Sequence, residues 1–525
     1  MEKRETVLER LKKPWDLVII GGGITGAGIF REAAGMGLRC LLLEQRDFAW
    51  GTSSRSGKLV HGGLRYLKQG QIKTTWHSVR QREKLLREFG GLVEHLGFMV
   101  PFYREGSYSP LMLQAGLAIY DLIALRRSRR RHRPEKIALL APALKSEGIK
   151  GAFWYRDART DDARLVLRVI RDGVRLGGSA LNYARVEDIL RDRDGRVRGV
   201  AVRENSTGHT VEVRSQAVIN ATGVWAQSIR SLPGGRPRLR PLRGSHLVFP
   251  HWRFPLALAV NFLHPADGRP LYVFPWEGVT LLGTTDLDHD HSLEDEPRIS
   301  PVEGRYLMEG VRHYFPSLNL ADSDVLSTFS GVRPVVDTGK KDPSRESRDH
   351  VVWSENGLIT VTGGKLTTFG LLAGEALSHA RKYIRRTSAP AQTSAEKKYG
   401  SNGFPAPAGT NEAQSRRLTG RYGPDAGRLI NESCPGDLKT IPGTETLWAE
   451  IRWAAGHEGV VHLDDIMLRR TRLGILDTEG GTRFMHRIRE IVQPAAGWDD
   501  RRWEEEVSRY IDIWRNGYSP QLIKG

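Results

Sequence analysis

Short apolar runs on either side of a helical pattern open the chain. The runs "DLVII" (16–20) and "RCLLLE" (39–44) are almost wholly apolar, as in strands buried on both faces of a parallel sheet. Between them, "IFREAAGMGL" (29–38) has the spacing of a helix. A strand, a helix and a second strand form one βαβ unit. The pattern therefore predicts a doubly wound α/β fold at the start of the chain.

Later segments continue this pattern in two interleaved sets. Helical spacing over 161–178 and strand patterns over 179–192, 196–205 and 216–223 extend the first fold. Short strands with frequent proline, such as "HLVFP" and "LYVFPW", indicate a mixed α+β domain inserted into it. We expect four units: a discontinuous nucleotide-binding domain (1–85, 156–225 and 331–386), an inserted substrate domain (86–155 and 226–330), a Pro- and Ser-rich linker (387–410) and an all-α C-terminal domain (411–525).

Composition narrows the class of protein. The chain has 525 residues, 39% of them hydrophobic, and 57 glycines that occur in clusters, which favours several folded domains that hold backbone close to a ligand. Two cysteines, Cys40 and Cys434, cannot build a disulfide framework, an iron–sulfur cluster or a cysteine zinc site, so we expect no metal and a reducing compartment. The charged N-terminus and the short apolar runs predict a cytoplasmic protein that does not span a membrane.

A glycine motif follows the first strand. Gly21, Gly23 and Gly26 have the G-x-G-x-x-G spacing. In this motif the first glycine makes a tight turn, the second lets backbone approach a pyrophosphate, and the third lets helix and strand pack closely. Glu44 ends the second strand, where an acidic side chain binds a ribose diol. The motif predicts a dinucleotide site but does not by itself choose between NAD and FAD.

Two later glycine turns favour FAD. Gly223 ends the strand "INATG", and Gly364 in "TGGKLTTF" precedes a helix whose free N–H groups would face the pyrimidine side of a flavin. The hydroxyl run Thr52, Ser53 and Ser54 follows the ribose-binding acid, where it can bond to pyrophosphate or ring atoms. We therefore expect FAD as the cofactor.

The formal charge of +18 is consistent with plain solubility or with attraction to anionic lipid or an anionic substrate. The densest basic block, "RRSRRRHR" (126–133), follows the apolar stretch "PLMLQAGLAIYDLIAL" (110–125). That pair suits the surface of an anionic membrane, and equally a core helix followed by a solvated loop. Because basic residues are spread along the chain without a zinc-finger or RNP signature, we expect no nucleic-acid partner.

Taken together, these motifs resemble a known family. The strings "IIGGGITGAG", "TSSRSGKLVHGGLRYL", "TDDARLVL", "NATG", "RGSH", "GTTD", "SGVRP", "GGKLTTF" and "LDDIMLRRTRLG" occur in the order seen in FAD-dependent glycerol-3-phosphate dehydrogenases of the aerobic, respiratory type. The resemblance implies a Rossmann-like FAD-binding domain that oxidises sn-glycerol 3-phosphate to dihydroxyacetone phosphate and passes electrons to membrane quinone. It also implies a peripheral position on the inner face of the cell membrane, and it leaves a homodimer open.

The resemblance also assigns site residues. A phosphate dianion needs fixed cations, and the planar fork of arginine binds phosphate oxygens in pairs. The expected cage around the substrate consists of Arg65, Tyr66, His246, Arg333, Arg348 and Lys365. Further cofactor contacts are expected from Lys58, Leu59, His61, Val186, Lys365, Leu366 and Thr367.

Catalysis requires a group that takes the proton of the C2 hydroxyl as hydride leaves. An imidazole suits this step because its pKa lies near the operating pH. The candidates are His61 and His246, with Arg333 and Lys365 completing the catalytic set. We prefer His61, because its loop is expected to lie along the flavin.

Three alternatives remain open from the sequence. A glycerol-3-phosphate oxidase would hand the electrons to oxygen and make hydrogen peroxide, but it would carry an additional insertion that is not found here. An amine or amino-acid oxidase shares the FAD fold and needs a carboxylate-binding arginine rather than many cations. A non-catalytic flavin-binding, nucleic-acid-binding or lipid-binding protein would use only the basic surface.

Overall fold

A computed structural model gives the structure of the protein. It describes residues 1–63, 72–104, 108–124, 128–205, 208–229, 239–340, 346, 350–385 and 410–524. The strands are Trp15–Ile20 (β1), Cys40–Leu43 (β2), Leu59–Val60 (β3), Val93–Tyr103 (β4), Arg130–His132 (β5), Ile149–Thr160 (β6), Ser179–Leu181 (β7), Ala184–Arg191 (β8), Val197–Glu204 (β9), Thr210–Asn220 (β10), Leu239–Pro250 (β11), Ala259–Leu263 (β12), Pro270–Trp276 (β13), Val279–Gly283 (β14), Leu287–Asp288 (β15), Ser327–Val336 (β16), His350–Glu355 (β17) and Leu358–Gly363 (β18).

The helices lie between and after these strands. They are Arg4–Arg10 (α1), Ile24–Gly35 (α2), Ile72–Glu88 (α3), Pro110–Ala124 (α4), Pro134–Leu140 (α5), Asp162–Arg175 (α6), Pro301–Tyr314 (α7), Phe369–Ala380 (α8), Glu412–Tyr422 (α9), Ala426–Asn431 (α10), Trp448–His457 (α11), Leu473–Leu476 (α12), Met485–Ala496 (α13) and Asp500–Gly517 (α14). Within the described residues, no helix is both long and apolar enough to cross a membrane.

The first sheet has the order β17-β18-β10-β1-β2-β7. Its neighbours from β18 to β7 are parallel, and β17 is antiparallel at the edge. Strand β1 is buried on both faces: Leu17 and Ile19 pack in the core with α2, α6 and α8, while Val18 and Ile20 pack in a second core with β8 and β9. The doubly wound α/β fold predicted from "DLVII" and "RCLLLE" is therefore confirmed.

The second sheet has the order β15-β11-β14-β13-β12-β4-β6-β3, with β16 paired to β11 and β5 paired to β6. Two domain boundaries expected from the sequence fall inside its strands, because β6 crosses position 155 and β16 crosses position 330. The basic block at 126–133 is not simply a solvated loop, since Arg130–His132 forms β5. The boundary expected between 85 and 86 likewise falls inside a helix, α3. We retain the remaining domain boundaries as a proposal.

The C-terminal helices pack onto the second sheet. Ile466, Ile488 and Trp503 share one apolar core with Trp276 and Phe329 of the sheet. A second apolar cluster, which includes Leu418, Leu429 and Trp453, lies within the C-terminal helices themselves.

Candidate active site

A cavity of about 670 Å³ opens at the carboxyl ends of β1, β2, β10 and β18. This edge of a doubly wound sheet is where such folds bind dinucleotides, and the volume lies within the range of about 300–1,000 Å³ typical of ligand pockets. Predicted residues that line it are Gly21, Gly23, Glu44, Thr52, Ser53, Val186, Gly223, Gly364, Lys365 and Leu366.

The three motif glycines form a cradle that side chains would fill. Gly21 has a positive φ of +108°, and a Cβ there would lie 2.6 Å from the carbonyl oxygen of Ala221. A Cβ on Gly26 would lie 1.9 Å from the carbonyl oxygen of Gly21. Gly26 itself does not line the cavity, because its role is to let α2 pack against the turn. The backbone N–H groups at the start of α2 can therefore approach a pyrophosphate closely.

Glu44 lies at the end of β2, beside the glycine turn. Its Oε2 accepts a hydrogen bond from Gly22 N at 2.7 Å, and its Oε1 accepts one from Arg46 N at 2.8 Å. Burial raises the pKa of Glu44, and these two backbone N–H groups oppose that shift. The carboxylate is placed to accept hydrogen bonds from a ribose diol.

The hydroxyl run Thr52–Ser54 forms a 3₁₀ turn that faces the same helix. Ser53 Oγ accepts a hydrogen bond from Ile24 N at 2.9 Å and so caps α2 from a distant loop. Thr52 Oγ1 donates to the carbonyl of Val332 in β16. Ser54 is buried and its hydroxyl bonds to Trp50 O, so it supports the turn rather than facing the cavity.

The two later glycine turns meet across the cavity. Gly363 and Gly364 both have a φ of +78°, and Gly223 has a φ of +62°. Thr362 Oγ1 donates to Gly223 O at 3.3 Å, which ties the two turns together. The positive φ values explain why glycine stands at these positions.

Arg333 lies on β16 and directly precedes Pro334, which lines the cavity. Its guanidinium lies over Gly244, where a Cβ would be 2.2 Å from Nη2. Nη1 donates to Asp286 at 3.0 Å, and Nη2 donates to Thr284 Oγ1 at 3.0 Å. The arginine is thus held flat, with about a quarter of its side chain exposed for an anion.

His246 lies on the same strand as Gly244 and is buried between two neighbours. Its ring stacks on Phe329 at 4.5 Å, and a Cβ on Gly283 would lie 2.2 Å from Cδ2. Nδ1 is buried and has no hydrogen-bond partner among the described residues. Burial lowers the pKa of His246 well below its usual value, and the charges of Arg333 and Lys58 lower it further. The imidazole is neutral at physiological pH.

His61 follows β3, and its carbonyl accepts a hydrogen bond from Thr367 Oγ1 at 3.4 Å. This bond joins the histidine loop to the turn that carries Lys365, whose Nζ is buried and which lines the cavity. Burial lowers the pKa of His61, the Asp157 carboxylate opposes that shift, and Lys365 and Arg82 add to it. His61 therefore differs from His246 in having an anion close by.

A buried polar cluster supports the histidine loop, and no pattern in the sequence indicated it. Gly62 N donates to Tyr120 Oη at 2.8 Å and to Asp157 Oδ1 at 3.2 Å. Arg82 Nη1 donates to Asp157 Oδ1 at 2.7 Å and to Tyr120 Oη at 2.9 Å. These side chains come from α3, α4 and β6, so only the folded chain brings them together.

The remaining predicted residues fall into two groups. Lys58 does not turn its ammonium to the cavity, because Nζ lies 2.8 Å from Asp162 Oδ1 and donates to Ser54 O at 2.5 Å. Leu59 pairs with Arg159 in the second sheet. Arg65, Tyr66 and Arg348 lie outside the described residues.

Several lining residues were missed by sequence reasoning. They lie near the Val186 side or at the mouth of the cavity, and they are Arg185, Arg203, Trp225 and Glu294. Arg185 could have been predicted from the sequence, because it directly precedes the predicted cofactor contact Val186. Glu294 was not, because it comes from a loop after β15 and meets Arg46 only in the folded chain.

Comparison with known proteins identifies the family. Residues 16–378 match the family model described as FAD dependent oxidoreductase, and residues 372–503 match the C-terminal domain of alpha-glycerophosphate oxidase. The aerobic glycerol-3-phosphate dehydrogenase of Staphylococcus aureus (strain USA300) is 34% identical over 551 residues, which cover 99% of both chains. The chain belongs to the FAD-dependent glycerol-3-phosphate dehydrogenase family.

Solved structures agree with this membership. The glycerol-3-phosphate dehydrogenase from Bacillus halodurans, complexed with FAD, is 26% identical, covers 98% of this chain and 97% of its own, and has a TM-score of 0.78. The L-alpha-glycerophosphate oxidase from Mycoplasma pneumoniae, with FAD bound, shares the fold at 18% identity and a TM-score of 0.57, and covers 72% of this chain and 98% of its own. The cofactor of this dehydrogenase-family chain is FAD, and the glycine cradle, Glu44 and the cavity fit it.

Proposed function

We propose that this chain oxidises sn-glycerol 3-phosphate to dihydroxyacetone phosphate, with the hydride passing from C2 to flavin N5 and the electrons passing on to membrane quinone. One observation carries the proposal. Lys365 and Pro334 line the cavity, and Pro334 directly follows Arg333 on β16. The charge of Lys365 acts on His61, and the charge of Arg333 acts on His246. Cations suit a phosphate, and a neutral imidazole suits the proton of a secondary alcohol.

The bound FAD supplies the two-electron acceptor that this oxidation needs. The chain's own residues do the rest. Arg333, held flat over Gly244 by Asp286 and Thr284, offers its exposed edge to phosphate or hydroxyl oxygens. Lys365, which lines the cavity, adds a second positive charge. From the family resemblance, Arg65, Tyr66 and Arg348 complete the cage.

The charges around the two histidines favour His61 as the general base. Both rings are buried, and an imidazolium at either would face two cations, Lys365 and Arg82 at His61 and Arg333 and Lys58 at His246. At His61, however, the Asp157 carboxylate opposes their effect. Protonation of His246 therefore costs more. We assign proton abstraction from the C2 hydroxyl to His61, and hydrogen bonding to the substrate in the neutral form to His246.

A steady-state assay tests the substrate. Purified holoenzyme is mixed with a redox dye and with sn-glycerol 3-phosphate, sn-glycerol 1-phosphate or glycerol. We expect dye reduction with sn-glycerol 3-phosphate and little with glycerol, because glycerol has no phosphate for Arg333 and Lys365 to bind. Equal rates with glycerol would contradict the assigned role of the two cations.

Oxygen is the competing electron acceptor, since the C-terminal segment matches a domain described from an oxidase. We favour quinone because the relatives that match 99% of the chain are aerobic glycerol-3-phosphate dehydrogenases. Turnover is compared with a quinone analogue in the absence of air and with air alone, and hydrogen peroxide is measured. Faster turnover in air with equimolar peroxide would assign the oxidase activity instead.

We further propose that the chain contacts an anionic membrane surface through α4. The outward face of this helix exposes Leu111 (77%), Met112 (59%) and Leu122 (74%). The exposed basic side chains Arg130, Arg131 and Arg133 follow it in the chain. An apolar face with a basic flank suits a helix that lies in the interface of an anionic bilayer. Such contact would bring the enzyme to its lipid-soluble acceptor.

A further inference from the structure

One arginine of the C-terminal helices reaches the loop that borders the FAD cavity. Arg472 precedes α12 and has a left-handed backbone, with φ of 65° and ψ of 7°. Its side chain is 2% exposed. Nη1 donates to Ser54 O at 3.1 Å, Nε donates to Asp161 Oδ1 at 3.0 Å, and Nη2 donates to Asp162.

Asp162 extends this contact along the loop. Its Oδ2 accepts hydrogen bonds from Ser56 N at 2.9 Å and from Ser56 Oγ at 2.7 Å. Its carboxylate also takes the Lys58 ammonium at 2.8 Å. Lys58 has a positive φ of 54°, a conformation that costs free energy unless the surroundings fix it. The contacts of Arg472 and Asp162 therefore fix the positions of Ser54, Ser56 and Lys58.

The loop held in this way touches both halves of the site. Upstream, Trp50, Gly51, Thr52 and Ser53 line the FAD cavity. Downstream, a Cβ on Gly57 would lie 3.5 Å from His246 Nε2. A shift of the loop would move the cap on α2 and the wall beside His246 together.

The cluster of Arg472, Lys58, Asp161 and Asp162 contains two positive and two negative side chains, and all four are buried. Burial raises the pKa of Asp161, but Arg472, Arg421 and Lys58 outweigh it and hold that pKa well below its usual value. Burial lowers the pKa of Lys58 to about 8, against the attraction of Asp162. Removal of one member of a buried ionic cluster leaves uncompensated charge, so the cluster rearranges rather than simply losing one bond.

We propose that Arg472 is a positioning residue of the FAD site, through which the C-terminal helices fix the loop from Trp50 to Leu59 against the cofactor. A second C-terminal side chain reinforces the contact: Tyr518 Oη lies 3.2 Å from Arg55 Nε, and Arg55 donates to Trp50 O. The inference depends on FAD as the cofactor and makes no assumption about the substrate or the electron acceptor.

The test compares Arg472→Met with Arg472→Lys and with Arg164→Met. Arg164 forms an equally buried ion pair with Glu458, between α6 and the C-terminal helices, and does not contact the loop. FAD release is followed as the rise of flavin fluorescence when each holoenzyme is diluted without substrate, and the melting temperature is recorded in parallel.

We expect Arg472→Met to weaken FAD binding at least tenfold and Arg472→Lys to recover part of that loss. In Arg164→Met we expect a lower melting temperature, with FAD affinity within twofold of the unmodified protein. FAD affinity unchanged in Arg472→Met, or lowered equally in Arg164→Met, would overturn the proposal. If Arg472→Met does not fold, Tyr518→Phe with Arg472→Lys carries the same comparison, and unchanged FAD affinity in both would again overturn it. Because no substrate is present, the outcome is independent of the proposed oxidation.

Discussion

At the scale of single residues, the roles that we propose for His61 and His246 rest on the charges beside each ring. His61→Asn is expected to lower kcat by about 100-fold or more, since general-base catalysis typically contributes about 10²–10⁴-fold. His246→Asn is expected to raise KM more than it lowers kcat, because the neutral ring binds rather than accepts the proton. Steady-state kinetics with sn-glycerol 3-phosphate measure both effects. Near-wild-type kcat in His61→Asn would remove this residue from the base role.

The Asp157 carboxylate predicts a pH effect. The base must be neutral, so kcat/KM falls on the acid side as His61 becomes protonated. Asp157 opposes the lowering of the His61 pKa, while Lys365 and Arg82 add to it. In Asp157→Asn the pKa of His61 therefore falls further, and the acid limb of the kcat/KM profile moves to lower pH.

Glu83→Gln is the matched control for this prediction. Among the described residues, Glu83 also pairs with Arg82, at 2.8 Å. The His61 pKa shift, by contrast, is caused by burial, Asp157, Lys365 and Arg82. We expect its acid limb to stay in place. An acid limb that moves to higher pH in Asp157→Asn would show that His61 does not carry the titration.

Residue-level prediction from sequence was possible where the chemistry is local. The spacing of Gly21, Gly23 and Gly26 and the position of Glu44 follow directly from the local sequence, so a dinucleotide site could be expected from them. The support of Gly62 by Tyr120 and Asp157 could not, because those partners lie 58 and 95 positions away. A tyrosine in an apolar helix and an aspartate in a strand give no sign of a shared hydrogen-bond cluster.

At the scale of elements, the turn between β1 and α2 is the most constrained. Gly26→Ala is expected to abolish or strongly weaken FAD binding, since its Cβ would lie 1.9 Å from Gly21 O. Gly35→Ala, in the same helix, has only Leu176 at 3.8 Å and is expected to keep FAD. FAD content and melting temperature are measured for both variants, and Gly35→Ala is expected to gain up to about 1 kcal/mol in stability from helix propensity. Full FAD content in Gly26→Ala would refute this role of the turn.

Elements of the first sheet were predictable because strands buried on both faces leave continuous apolar runs. Elements of the second sheet were harder to bound. β6 reads "IKGAFWYRDART" and β16 reads "STFSGVRPVV", and both mix polar and apolar residues without a clear end. The domain boundaries expected at positions 155 and 330 therefore fall inside β6 and β16. The two strands continue past these positions because β6 stays paired with β4 and β16 stays paired with β11.

At the scale of the whole molecule, the basic charge and the apolar face of α4 predict salt-sensitive membrane binding. Co-flotation with vesicles that contain anionic lipid measures it. Leu111→Ser with Leu122→Ser is expected to weaken binding at least tenfold, because each leucine buried in lipid contributes about 1.5–3 kcal/mol. Val302→Ser, which changes another exposed side chain (63%), is the control and should bind normally. Unchanged flotation of the double variant would remove α4 from the contact.

The docking of the C-terminal helices could not be foreseen from the sequence. The expected helical C-terminal domain is confirmed, and it keeps an apolar cluster of its own. The sequence did not indicate that others of its apolar residues share a core with the second sheet. Arg472 meets Asp162 across 310 positions, and a run of arginines alone does not indicate which carboxylates it will meet. Only the folded structure shows that Arg472, Asp161, Asp162 and Lys58 are all buried at this contact.

The central claim is that this FAD site oxidises sn-glycerol 3-phosphate, and anaerobic mixing of the holoenzyme with that compound tests it most directly. The account predicts bleaching of the flavin absorption band within the turnover time, and recovery of the band when a quinone analogue is added. A band that persists at saturating sn-glycerol 3-phosphate, with stoichiometric FAD bound, would contradict it.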